Sequence, residues 1–207
     1  MDTIDSQDSM SGREFVTSAA IGQHGGMPDL LWDDVREFFD PDLMGALPDV
    51  SVPGASVADW QALFDLVGTA GWTWEYLVGG VAEQLPCAAE VLARPADAET
   101  VELRVRPVPG VLAIFRLLSD EEIDFDVDLR ELQGQTGVDH LCHLLRTIGR
   151  RLGKPVQLAA EGDYGHPVLG FDPAADRVVL LADPPSSSCP FRRGPVSCCL
   201  RCPEGAA

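Results

Sequence analysis

The stretch IDFDVDLRELQGQTGVDHLCHLLRTIGRRLGK, residues 123–154, decides the fold. In its first part Ile123, Phe125, Val127 and Leu129 alternate with Asp124, Asp126 and Asp128, the period-two pattern of a strand with one apolar and one polar face. The three carboxylates then share a face, roughly 7 Å apart along the chain. Gly134 and Gly137 break the alternation, and His140, Leu141, Leu144, Leu145, Ile148 and Leu152 recur at helical spacing. Gly153 and Pro155 close that run, with Arg146, Arg150, Arg151 and Lys154 around its end, where a helix dipole favours cations. A strand and a helix packed apolar face to apolar face are expected at the centre, with the polar strand face in solvent.

Upstream, Val101, Leu103 and Val105 alternate with Glu102, Arg104 and Arg106. Pro107–Gly110 turns that strand into a second over 111–118, and residues 119–121 turn it into the acidic strand. Three successive strands with short connections predict an antiparallel meander. Trp72, Trp74 and Tyr76 alternate with Thr73, Glu75 and Leu77 in an aromatic-faced strand ending at Gly79-Gly80. Ser56 and Asp59 form a capping box before the stripe Trp60, Leu63, Phe64 and Val67. A helix capped by Asp29 is expected to run through Phe39, followed by a Pro/Gly-rich loop to Ser56 and a short helix within 86–94. Downstream, 156–160 reads as a strand, and 165–172 with 177–182 as a hairpin around Pro173-Ala174-Ala175-Asp176. The expected fold class is α+β: an antiparallel sheet, made of a meander plus a C-terminal hairpin, with helices packed mainly on one face. One domain spans 27–183. Residues 1–26 and the Cys/Pro-rich residues 184–207 are expected to be disordered tails, because neither shows apolar periodicity.

At 207 residues and 45% hydrophobic content the chain suits a single core. No run approaches the ~18 apolar residues of a membrane span, and MDTIDSQDSM lacks the apolar centre of a secretory signal. A cytoplasmic protein is expected. The formal charge of −18 disfavours contact with nucleic-acid phosphates and favours a basic partner. Residues 184–207 depart from it, with Arg192, Arg193 and Arg201 against Glu204.

Asp124, Asp126 and Asp128 admit three readings. Hard cations take carboxylate oxygens, so the trio could hold Mg²⁺ or Ca²⁺ in a metal-dependent phosphoesterase or nuclease-like enzyme. Arg104, Arg106 and Arg116 on the neighbouring strands could instead pair with them in a cross-strand ladder. The trio could also form an acidic face for a partner, with Trp72 and Trp74 as aromatic anchors. The absence of a paired Lys or His motif beside the aspartates favours binding over catalysis. His140 and His143 stand at a spacing that can share a metal, but no HExxH accompanies them. Asp163, Tyr164 and His166 cluster in the loop EGDYGHPV without a GxSxG nucleophile. Cys199 and Cys202 form a CxxC, with Cys189 and Cys198 nearby, and Cys87 and Cys142 read as thiols of the body. No phosphate-binding glycine loop occurs. No catalytic residue, metal ligand or cofactor is therefore assigned, and the expected partner-binding residues are Asp124, Asp126, Asp128, Trp72 and Trp74.

LWDDVREFFDPDL at 31–43, EIDFDVDLREL at 122–132 and HPVLGFDPAADRVVLLAD at 166–183 give residues 27–183 a resemblance. The body resembles small, acidic, uncharacterised bacterial α+β proteins, and the last hairpin resembles the closing hairpin of immunity proteins of toxin systems. The resemblance implies a non-catalytic protein that neutralises a basic toxin, and it carries no family-defined active residues. A general regulatory interaction domain is the other binding reading.

Overall fold

The computed structural model describes residues 27–182. Nine strands form one open antiparallel sheet: β1 (Asp49–Pro53), β2 (Thr73–Val78), β3 (Val81–Glu83), β4 (Val101–Val108), β5 (Val111–Arg116), β6 (Glu122–Val127), β7 (Val156–Ala159), β8 (Leu169–Asp172) and β9 (Arg177–Leu180). Their spatial order is β3-β2-β4-β5-β6-β1-β7-β8-β9. The expected meander is β4-β5-β6, and the expected closing hairpin is β8-β9. Side chains alternate across the sheet as the sequence pattern requires. Tyr76, Leu103, Phe115, Phe125, Val50, Leu158 and Leu169 lie in register across seven strands and are all buried. Phe115 and Phe125 stack with ring centroids 4.4 Å apart, an aromatic pair that contributes about 0.5–1.5 kcal/mol beyond its area.

Helices cover this apolar face. The short α1 (Trp32–Val35) and α2 (Pro41–Met44) precede α3 (Val57–Thr69), α4 (Ala88–Leu92) and α5 (Gly134–Leu152). Ser56 caps α3 as expected: its hydroxyl oxygen accepts from the Asp59 amide at 3.3 Å. The Trp60 indole at the buried centre of that helix donates to the Ser119 carbonyl at 2.9 Å, so its polar edge is not left unpaired. On α5, Val138, Leu141, Leu144, Leu145 and Ile148 are buried, and Gly149 lets the helix sit against the Phe171 ring, where a methyl group would collide. Gly153 ends α5 in the left-handed region at φ 66°.

Three expectations are corrected. The stretch Asp49–Pro53, read as loop, is a strand inserted between β6 and β7. Its alternation of Val50 and Val52 is short and bracketed by Pro48, Pro53 and Gly54, and long-range pairing on both edges overrides those breakers. The N-terminal helix is not one helix capped by Asp29. It is α1 followed by a 3-10 turn (Arg36–Phe39), and Leu31 stands at the cap without a side-chain bond. Helix α5 begins at Gly134, so Gly137 lies inside it, packed too closely on the Leu132 backbone for any side chain. The stretches 1–26 and 184–207, with Cys189, Cys198, Cys199 and Cys202, lie outside the described residues.

Asp29 has a different task. Its carboxylate accepts from Arg146 on α5 and from the Val178 amide on β9, each at 3.0 Å, while its carbonyl accepts from Arg177 at 2.8 Å. The segment thus occupies an N–H on the terminal strand of the sheet, the kind of group that otherwise recruits a foreign strand. Asp29→Ala leaves that amide and the Arg146 guanidinium without their acceptor. The expected loss is roughly 1–3 kcal/mol, read as a lower urea midpoint with an unchanged slope.

Candidate functional site

The sheet face opposite the helices is open, and β6 supplies its acidity. Two transverse rows cross it. One runs Glu75, Arg104, Ile114, Asp126, Asp49, Ala159, and the other Leu77, Glu102, Arg116, Asp124, Ser51, Gln157. Asp49 and Asp126 are direct partners across β1 and β6, a position that places side chains about 4.5–5.5 Å apart at Cβ. Glu122 continues the same face of β6. Four carboxylates therefore gather where the sheet offers one guanidinium, Arg116. That guanidinium reaches diagonally to Asp126, its Nε donating at 2.9 Å and its Nη2 completing the fork.

The polar face of β6 is not the solvated surface its sequence suggests. Asp126 is only 5% exposed, and burial pushes its carboxyl above the ordinary range even though Arg116 pulls the other way. Asp124 is half-buried, and its Oδ1 is enclosed with no hydrogen-bond partner. Burial first, then the charges of Glu122, Asp49 and Asp126, push the Asp124 carboxyl up to about 6, with Arg116 opposing. The cover comes from residues 160–168, which connect β7 to β8. The Gly162 amide donates to Asp49 Oδ2 at 2.6 Å and the Tyr164 hydroxyl to Asp49 Oδ1 at 3.0 Å. The same loop is fastened by the Glu161 amide to the Met44 carbonyl at 2.8 Å and by the Glu161 carboxylate, which accepts from the Leu47 amide at 3.3 Å. His166 and Asp163 form a pair at 2.8 Å within it, which raises the imidazole pKa.

The expected site residues part company. Asp124 and Asp126 share the open face, but Asp128 lies beyond the strand. It caps the 3-10 turn Leu129–Glu131 by accepting from the Arg130 amide, and the Arg130 guanidinium holds its carboxyl below the usual range. The trio does not converge, and among the described residues no three His, Cys, Asp or Glu side chains are placed to share a metal ion. The expected ladder reduces to Arg116. Arg104 pairs with Glu102 on its own strand, and Arg106 lies opposite Thr73. Trp74 stands opposite Val105 on the helix side of the sheet at 38% exposure, and Trp72 is half-buried against the core. The two tryptophans and the aspartates therefore occupy opposite faces. Trp74 does reach a shallow hollow of about 160 Å³ with Thr73, Glu75, Arg104 and Arg106 at the far end of β2 and β4. Asp49 and Glu122 were missed by the sequence reading, since only the strand partner of Asp126 identifies Asp49. Tyr164, 61% exposed, is the aromatic group that accompanies the acidic cluster. On α5, His140 is half-buried and His143 exposed, and Cys142 is buried, its thiol pushed up to about 12 by burial.

Comparison of the chain with family models, with curated proteins and with solved structures finds no match. Among the described residues no helix is long and apolar enough to cross a membrane.

The raised Asp124 carboxyl has a stability consequence. The folded protein holds this proton more tightly than the unfolded chain, whose value is about 3.9. The resulting stabilisation is complete below about pH 4 and disappears as pH rises through about 6. Asp124→Asn is expected to match the wild type at pH 4 and to exceed it by roughly 1–2 kcal/mol at pH 8, after allowance for solvent screening. Paired urea titrations at the two pH values check the difference.

Proposed function

We propose that the chain is a non-catalytic acidic protein that binds a basic protein partner through the open face of its sheet. One observation carries the reading. A face that no helix covers, among the described residues, gathers Asp49, Glu122, Asp124 and Asp126 around a single guanidinium, with Tyr164 exposed beside them. Surplus carboxylates cost stability when left facing each other, and a cationic partner relieves that cost while being steered to the face by the field of the whole chain. The half-buried Ile114 and Leu112 of β5 give the face an apolar component, and Tyr164 is the group suited to anchor a partner. The partner class follows from the resemblance of 31–43, 122–132 and 166–183 to immunity-type proteins: a basic toxin, most simply one whose own substrate is a polyanion. A regulatory domain with another basic partner would use the same surface.

The test uses the full chain and the product of the adjoining gene. Association should slow steeply between 50 and 300 mM NaCl, as exposed charges are screened beyond ~8 Å at physiological ionic strength. The double variant Glu122→Gln, Asp124→Asn should slow association about fivefold or more at low salt and leave dissociation nearly unchanged. Asp126 is left intact, since its loss would strand Arg116. Binding that ignores both salt and the double variant removes the open face as the docking surface.

A further inference from the structure

The acidic face and the loop that roofs it form one device. The loop 160–168 is held over the end of β6 by Asp49, which accepts from Gly162 and Tyr164. Beneath it the Asp124 Oδ1 is enclosed and unpartnered. A neutral carboxyl tolerates that enclosure, whereas an ionised one requires hydration or a counter-charge. The surroundings offer little of the second. Asp126 and Glu122 flank Asp124 on β6, Asp49 faces it from β1, and Glu102 of β4 lies next to Arg116. The loop itself adds Glu161 and the Tyr164 hydroxyl. Arg116 of β5 is the one cation directed into the group, and its fork is committed to Asp126.

We propose that this cluster is a proton-operated latch: loop 160–168 stays closed over the face while Asp124 carries a proton and opens, admitting water to the carboxylate, when the proton leaves. Burial and the neighbouring charges set the working range near pH 6. The loop is the movable part because its hold on the sheet consists of a few hydrogen bonds from exposed residues, with no buried apolar side chain between Glu161 and His166. Its biological meaning rests on the docking role proposed above: above pH 6 the face is uncovered and fully charged, and below it the face is covered and less acidic. The latch itself is a property of the free protein.

Hydrogen exchange of the full chain, without partner, tests it. Protection of amides 161–166, corrected for the intrinsic pH dependence of exchange, should fall between pH 5 and pH 8 by roughly tenfold for each pKa unit that Asp124 recovers on opening. Amides of β4 and β5 should not follow. Asp124→Asn should keep the loop protected at both pH values, and Tyr164→Phe should leave it poorly protected at both. Carboxyl carbon resonances of the wild-type protein supply a second reading that needs no variant, with Asp124 titrating in step with the loop. The latch is overturned by protection that is flat with pH, by a decline that persists in Asp124→Asn, by an equal decline across the whole sheet, or by an Asp124 titration in the ordinary aspartate range. None of these outcomes depends on partner binding, so the docking proposal and the latch can fail separately.

Discussion

The sheet is continuous because β1 is hydrogen-bonded on both edges. Val50 stands opposite Phe125 on one side and Leu158 on the other. Remove that strand and the molecule becomes two pieces, β3-β2-β4-β5-β6 and β7-β8-β9, each with a raw edge. The apolar side chains of β1, Val50 and Val52, are fully buried, so the strand also fills the middle of the core beneath the helices. Its polar side contributes Asp49, which fastens the loop from β7 to β8. One five-residue segment thereby joins the sheet, completes the core and holds the cover of the acidic face.

The two faces obey different rules. On the helix side, burial of Phe115, Phe125, Leu141 and Leu145 is driven by the loss of apolar surface to water, which is indifferent to direction. On the open side, Asp126 is buried nearly as deeply and needs a directed partner, which Arg116 provides. Asp124 has none for one of its oxygens. Such an unsatisfied group is unfavourable in a structure selected for stability alone, and it is the ordinary signature of a place where function has been set against stability.

What the sequence made legible follows from how local each signal is. The alternation of β6 and the helical stripe of α5 are long and self-sufficient, and both elements stand where they were expected. The capping chemistry at Ser56 needs only its own first turn. The insertion of β1 is different: five residues hemmed in by prolines and glycine become a strand only when β6 and β7 present their edges. The same limit explains the acidic face. Alternation states which side of β6 Asp126 occupies, but its cover arrives from Tyr164 and Gly162, much later in the chain. Asp29 was recognised as an acceptor, and its donors proved to lie on α5 and β9 and not in the helix that follows it. Trp74 and Asp126 read as parts of one footprint until the register of β2 with β4 placed them on opposite sides.

The position of β1 also imposes an order on the making of the protein. A ribosome delivers Val50 early, long before Phe125 and later Leu158 have been joined to the chain. At about 5–20 residues per second, the first of its neighbours follows roughly 4–15 s behind. Throughout that interval a nascent strand with two fully hydrophobic side chains has nothing of its own to pair with. Pro48, Pro53 and the flanking glycines then acquire a second role. They keep the segment short and poorly suited to pairing with the wrong strand until both of its proper neighbours have emerged.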